Sequence, residues 1–501
     1  MIGEIMKIQV TAGALEKSRT GGAVLLVFDE EKPGRARERM DKALGNVIAG
    51  IMKRGDFKAK PGAVHLLYPG NGSSVQRLVL AGLGKRSAFT LNRLRHAAGR
   101  AAATLRAAGA TDIVIALDGL GREHEDIAEA AIEGSVLGLY RFLRYKTGDD
   151  NGQRKDIRKI TLLTETVASV KALQKGAKTG AAIAESATMA RDMVNTPPAD
   201  MTPAIVASKA RELGRTFGFK VRTLERKDME KLGMGGLLGV ASGSVQPPKF
   251  IIIEYRRGGN RPVIVLVGKT ITFDSGGISL KPPENMDRMK DDMSGGAAVL
   301  GALRAAAILK LPLNIIGLLP ATENMPGGRA LKPGDVLRTL SGRTIEIINT
   351  DAEGRLILAD ALTYACRYKP AMIVDIATLT GASAIALGQE AVAMLGTDEA
   401  FKQKVREAGD KTGERVWELP LWEEYYELIK SDIADMKNAG GRAGGVITAA
   451  ALLSKFVQSY PWVHLDIAAT AWSDKDRPYT PKGATGIGVR LLTQFLRDAV
   501  R

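Results

Sequence analysis

Short apolar runs of strand length alternate with helix-length segments along most of the chain, and this alternation confines it to α/β architecture. Up to residue 165 the strand candidates are residues 22–28, 64–68, 78–83, 113–117 and 160–163, with helix candidates at 35–53, 91–108 and 127–143. Residues 147–152 read as a loop by composition. A long Ala-rich helical stretch follows at 166–194 and is stopped by Asn195-Thr196-Pro197-Pro198, because proline removes a donor and restricts its predecessor. A second series then offers strands at 220–223, 250–255, 263–267, 313–319, 344–348, 372–376 and 463–467. At 501 residues the chain exceeds one hydrophobic core. The expectation is two α/β domains, each a mixed or largely parallel sheet flanked by helices: 1–165, a connecting helix at 166–190, and 191–501.

The single cysteine, Cys366, excludes an intramolecular disulfide and suits a reducing compartment. No charged start followed by an apolar core marks a secretory signal, and no apolar run is long enough to span a bilayer, so a cytoplasmic protein is expected. The net charge is +16. Residues 1–190 hold 30 Lys/Arg against 20 Asp/Glu, so most of the surplus lies there. A basic surface suits nucleic acid, and a DNA-binding or architectural role of the N-terminal domain is a second reading. General solubility accounts for the same charge.

One stretch stands out: Asn349-Thr350-Asp351-Ala352-Glu353-Gly354-Arg355-Leu356, between a strand-like run at 344–348 and a helical run at 356–368. Strand-to-helix turns are where α/β proteins place ligands. Asp351 and Glu353 alternate along an extended backbone and so can point one way. The N–H groups of Ala352, Gly354 and Leu356 lie near a helix start, which favours anions.

Other motifs fail on spacing. Gly268-Lys269-Thr270 looks like the end of a P-loop, but Val263 stands where the first glycine belongs. His124-Glu125 begins a zinc-protease pattern whose second histidine would fall at Ala128. His65, His96 and His464 are scattered and read as packed or surface residues. No Gly-x-Ser-x-Gly elbow occurs, and Cys366 has no evident histidine partner.

Asp274, Asp292, Asp351 and Glu353 all follow strand candidates, and a parallel sheet would gather them on one edge. Four converging carboxylates repel unless neutralised, and two divalent cations would balance them. Oxygen ligands without thiolate favour Mn²⁺, Mg²⁺ or Zn²⁺. Paired metals can hold a bridging hydroxide and polarise a carbonyl or phosphoryl oxygen. Lys269 and Lys281 flank Asp274; spacing alone leaves open which serves as an electrophile and which, deprotonated, as an amine ligand.

Asn349–Leu356, Gly268–Gly277 and Met289–Asp292 resemble the motifs of the leucyl aminopeptidase (cytosol aminopeptidase) family of dinuclear metallopeptidases. The resemblance extends through Asn195-Thr196-Pro197-Pro198, Glu323-Asn324-Met325, Thr378-Leu379-Thr380-Gly381 and His464-Leu465-Asp466-Ile467-Ala468, about residues 190–501. It implies hydrolysis of the N-terminal residue from peptides, with leucine and other apolar residues favoured. It implies two metal ions, most readily Mn²⁺ or Zn²⁺: Asp274 and Glu353 bridging, Lys269 and Asp292 completing one, Asp351 the other. Lys281 would stabilise the gem-diolate, and Arg355 with the turn amides would hold a bicarbonate as general base. Met289, Thr378, Leu379 and Gly381 would line the side-chain pocket, and a homohexamer with inward-facing sites is implied. Two residues depart from the family pattern. Thr270 and Ala469 stand where glycine is usual, and a β-branched Thr270 would disturb a turn that needed positive φ. A two-metal phosphoesterase is a third reading, against which the octapeptide argues.

Overall fold

The computed structural model describes residues 6–29, 32–70, 73–121, 124–148 and 156–500. They divide into two units: Met1–Glu185 with Lys475–Lys482, and Ser186–Asp474 with Gly483–Arg501. The predicted Ala-rich helix is present as Val170–Asn195, and the chain passes from one unit into the other within it. Of the loop expected at 147–152, residues 149–152 lie outside the described residues.

The first unit is built on six strands: β1 (Lys7–Ala12), β2 (Gly22–Phe28), β3 (Val64–Leu67), β4 (Leu78–Gly84), β5 (Asp112–Ala116) and β6 (Lys159–Thr164). Their order is β1-β6-β5-β2-β4-β3, and all run parallel except β3. Strand alternation sends Val24 to one face, with Leu94 and Ala101 of the helix Leu91–Ala107. It sends Leu25 and Val27 to the other, with Met40, Ile48 and Ile51. With both faces covered, every residue of β4 is buried. Strand β1 is absent from the continuous apolar runs because it is a partly exposed edge strand whose residues alternate polar and apolar, from Lys7 to Ala12.

The single helix expected at 35–53 is two, Arg35–Ala43 and Val47–Arg54. Gly45 and Asn46 adopt φ of +66° and +64°, which no helix tolerates. The Asp41 carboxylate accepts from the Ile48 N–H at 2.8 Å and so starts the second helix.

In the second unit a nine-stranded mixed sheet contains β7 (Lys220–Leu224), β8 (Lys249–Arg256), β9 (Val263–Gly268), β10 (Thr270–Asp274) and β11 (Asn314–Asn324). A separate three-stranded sheet has β12 (Val336–Arg338), β13 (Thr344–Glu346) and, later in the chain, β17 (Met436–Lys437). The large sheet is completed by β14 (Met372–Ala377), β15 (Val392–Gly396), β16 (Val416–Glu418) and β18 (Trp462–Asp466). Strands β9, β11, β14 and β18 lie side by side, with β9 parallel to both its neighbours and β14 parallel to β18. β10 adds in parallel to β11. The carboxyl ends of these five strands therefore share one edge. The strand expected at 344–348 is shorter and belongs to the small sheet, so the acidic motif does not extend from the large sheet. Strand β10 was hidden because it follows Lys269 directly and its polar residues resemble a loop.

Candidate metal centre

Lys269 emerges between β9 and β10, Asp274 ends β10, and Thr378 follows β14. Asp292 closes a 3-10 helix, Met286–Met293, that runs straight into the helix Ser294–Ile308. Asp351 and Glu353 arrive on the turn beyond the small sheet, with Glu353 at the start of the helix Gly354–Ala365. All four predicted carboxylates are thus brought together. One oxygen each from Asp274, Asp351 and Glu353 lies within 4.8 Å of the others. Asp292 joins them through Lys269, whose Nζ is 2.8 Å from both Asp292 Oδ1 and Glu353 Oε1.

The two lysines sit on opposite sides of the acids. Lys269 is fully buried and also donates to the Thr378 carbonyl at 2.8 Å. Lys281 Nζ is 2.9 Å from Asp274 Oδ2 and 2.5 Å from Asp351 Oδ1. Burial works against each ammonium, yet the surrounding carboxylates hold both above the ordinary lysine value. Burial, reinforced by neighbouring Glu353, pushes Asp274 up to about 6. Burial also raises Asp292 and Asp351, whereas Glu353 stays below its usual value because the two lysines outweigh its burial.

These residues fit a cation pair. Asp292 Oδ2 and Glu353 Oε2 are buried oxygens with no hydrogen-bond partner among the described residues. A buried unpartnered carboxylate oxygen is costly, and a metal ion satisfies it directly.

Neighbouring side chains fix the ligand frame. Asn324 Nδ2 donates to Asp274 Oδ1 at 2.8 Å and to the Thr350 carbonyl at 3.1 Å, linking the two acidic segments. Thr350 Oγ1 donates to the Gly276 carbonyl at 2.7 Å and accepts from the Ser279 N–H at 2.8 Å. Gly276 and Gly277 turn the chain here at φ of +87° and +66°; a Cβ on Gly276 would meet the Ser279 carbonyl oxygen at 2.4 Å. Thr378 Oγ1 donates to Asp292 Oδ1 at 2.7 Å. Fully buried Asn438 accepts from the Ile348 N–H at 2.8 Å and donates to the Asn349 carbonyl at 2.6 Å. Nothing in the sequence around Asn438 singles it out; its role comes only from lying beside a turn some 90 residues earlier.

Arg355 is buried, and its Nη1 donates to the Asn438 carbonyl at 2.7 Å while its Nε has no partner among the described residues. Burial lowers it to about 10, against the opposing charges of Glu353 and Asp466. The three free amides expected at the turn reduce to one. The Ala352 N–H donates to the Asn349 carbonyl at 3.2 Å and the Leu356 N–H to the Glu353 carbonyl at 2.9 Å, because the turn closes on itself. The Gly354 N–H remains open among the described residues.

Asp466 accepts from the Leu379 N–H at 3.1 Å and from Thr380 Oγ1 at 2.7 Å, holding the segment before Gly381. A Cβ on Gly381 would meet nothing within 4 Å, so this segment borders open space. Met289 lies partly exposed on the 3-10 turn leading to Asp292. His464, read as a packed histidine, is fully buried, and its Nδ1 is 2.6 Å from Asp375. Thr270 lies within β10, outside the positive-φ residues, so its branched side chain is no strain there. Its Oγ1 donates to the Gly268 carbonyl at 2.8 Å. Ala469 is buried.

Comparison with known proteins agrees with this geometry. The model of the cytosol aminopeptidase family catalytic domain matches residues 188–493, and that of the family's N-terminal domain matches residues 24–149. A probable cytosol aminopeptidase of Roseiflexus castenholzii is 47% identical over 496 residues, covering 98% of this chain and 99% of that protein. One from Geotalea uraniireducens is 49% identical over 466 residues, covering 93% and 94%. Among solved structures, a tomato leucine aminopeptidase mutant superposes with a TM-score of 0.88 at 30% identity, covering 98% of this chain and 96% of that one. The bottromycin maturation enzyme BotP in complex with Mn gives 0.84 at 36% identity, covering 96% and 100%. The chain belongs to the cytosol aminopeptidase family and is an aminopeptidase.

Proposed function

We propose that this chain removes N-terminal residues, apolar ones preferentially, from peptides in the cytoplasm by two-metal hydrolysis. The observation that carries the reading is the convergence of Asp274, Asp292, Asp351 and Glu353 around two lysines, with two buried carboxylate oxygens left unpartnered. Asp274 and Glu353 would touch both ions, Lys269 and Asp292 one, and Asp351 the other. Mn²⁺ or Zn²⁺ is favoured by the oxygen-rich donor set, and BotP was solved with Mn. When bound, such a pair supplies Lewis-acid polarisation of the scissile carbonyl and acidifies a water.

The chain's own residues do the rest. Lys281 keeps its proton between Asp274 and Asp351, so it can donate to an oxygen that gains negative charge during attack. Arg355, through its unpartnered Nε, together with the Gly354 N–H, offers donors to a small anion such as bicarbonate, positioned to relay a proton. Thr378, Leu379 and Gly381, with Met289, would line the space for the first side chain. A free peptide amine, neutral on arrival, would be held at the metal pair and so limit cleavage to the first bond.

The test is hydrolysis of leucine amide and of a leucine-initiated tripeptide with Mn²⁺ supplied and with chelator added. Loss of activity on chelation and in Glu353→Ala is expected. Undiminished hydrolysis by Glu353→Ala would overturn the proposal.

A further inference from the structure

The first unit contains a crevice that peptide hydrolysis does not use. Strand β2 lies between β4 and β5. The chain leaving β2 travels through the helices 35–43 and 47–54 to β3 and β4 on one side. The chain leaving β5 travels through the helix His124–Gly138 to β6 on the other. Two adjacent parallel strands whose outgoing connections part in this way form a topological switch point, and open α/β sheets bind ligands in the crevice outside it.

A cavity of about 300 Å³ occupies this place, bordered by the end of β2, by Arg35 and Arg37, by Arg86 after β4, and by Asp118 after β5. A second, of about 590 Å³, adjoins it and shares Asp118, Gly119, Leu120 and Thr166. Both sizes fall in the range of small-molecule sites, roughly 300–1,000 Å³. All these residues belong to the first unit.

The chemistry of the two cavities differs. The smaller is basic: Lys32, Arg35, Arg37 and Arg86 face it against Asp118 and Glu165. Both acids are already engaged. Asp118 accepts from Thr164 Oγ1 at 2.9 Å and from the Glu165 N–H at 3.0 Å, and Glu165 pairs with Arg39 at 3.1 Å. Lys32, Arg35 and Arg37 make no ion pair among the described residues. Arg37 is half-buried, bonded to Met52 Sδ at 3.5 Å and within the field of Asp41 and Glu38, and its burial still lowers its pKa. Arg35 opens a helix whose N-cap, Gly34, supplies no side-chain acceptor. Arg86 lies over the Phe28 ring, 4.0 Å from its centroid, and donates to the Gly119 carbonyl at 2.7 Å. The larger cavity is mixed: Leu120 and Ile127 border it beside Asp118, His124, Thr164 and Thr166. Gly119 and Gly121 on its rim have open space where a side chain would stand, so backbone can approach a ligand closely there.

We propose that this crevice binds a phosphorylated nucleoside, its phosphate against Lys32, Arg35 and Arg37 and its base in the larger cavity beyond Asp118. Three cations beside a helix start, none held in a close ion pair among the described residues, recognise the phosphate. The larger chamber next to it sets Leu120 beside the polar groups of His124 and Thr166, which suits a planar base with ring nitrogens, and inorganic phosphate alone would leave it empty.

The experiment is calorimetric titration of the full chain with AMP, with adenosine and with inorganic phosphate. One AMP per chain is expected, bound at least about tenfold more tightly than either fragment, since each fragment fills one chamber only. Lys32→Glu with Arg35→Glu, both at exposed positions, should weaken AMP about tenfold or more while peptidase activity stays unchanged. Thr166→Trp, placed where the two cavities meet, should block AMP without altering the charge. Absence of saturable AMP binding would overturn the proposal. So would binding that survives both variants, or phosphate binding as tightly as AMP.

Discussion

A Cβ built on Gly354 would lie 2.6 Å from Lys269 Nζ. The glycine is therefore not a matter of backbone freedom; it leaves room for an amine that must approach both Asp292 and Glu353. Gly354→Ala should push Lys269 aside. A displacement near 1 Å in such a site costs roughly a hundredfold in rate, and overpacking costs about 1–3 kcal/mol of stability. Steady-state kinetics and urea unfolding of the variant check this; an unchanged kcat/KM would show that Lys269 has slack.

Metal uptake should release protons. Lys269 is held as an ammonium by its carboxylates, and a metal ion displaces that proton if the amine becomes a ligand. Asp274, raised to about 6, must also be ionised to coordinate. Its acid form grows below that value, so metal affinity should fall more steeply with pH below about 6 than above it, where the Lys269 proton alone is released. Calorimetric titration of Mn²⁺ in buffers of different ionisation enthalpy would count the protons, and a buffer-independent heat would contradict the scheme.

Asp360 has a separate pH signature. It is fully buried, accepts from the Leu237 N–H at 2.9 Å and the Leu340 N–H at 2.7 Å, and burial raises it to about 7. A carboxyl raised in the folded state stabilises the fold fully below its unfolded value of about 4, and this contribution is lost as pH rises towards about 7. The stability lead of the wild type over Asp360→Asn should thus shrink between pH 5 and pH 8, by up to roughly 3 kcal/mol. Paired urea titrations of both proteins at the two pH values give the difference.

Asn438→Ala should impair turnover more than folding. The side chain bonds to Ile348 and Asn349 and weakly to the Ala352 carbonyl, at 3.4 Å, bracing the turn that carries Asp351 and Glu353. Support of this kind is worth about 10–100-fold in metal affinity or activity. Mn²⁺-dependence of amide hydrolysis measures it, and a normal metal requirement in the variant would count against the bracing role.

The acidic constellation was legible because each of its parts is local: within 269–292 and again within 351–355, strand ends, short spacings and opposite charges lie close along the chain. The fold class was legible for a similar reason, since strands such as β2, buried on both faces, are continuous apolar runs. What escaped depended on distant partners. Strand β10 exists because it pairs with β11, and β13 was placed by a small sheet whose third strand comes about 90 residues later. The break at Gly45–Asn46 escaped because the apolar period of the two helices continues across it. Two of the three turn amides proved engaged because a tight turn consumes its own donors. Asn438 and the buried His464–Asp375 pair carry no pattern at all until the chain is folded.

Asp351 and Glu353 ride on the scaffold of the small sheet, whereas Lys269 and Asp274 ride on the large one. The ions they would share are then a clasp between two pieces of architecture, joined also by a common core, by the two lysine pairs and by a seam of side chains at Asn324 and Thr350. Stripping the clasp leaves each piece intact but lets the seam breathe, so amide exchange in residues 344–356 reports loading before any global melting does.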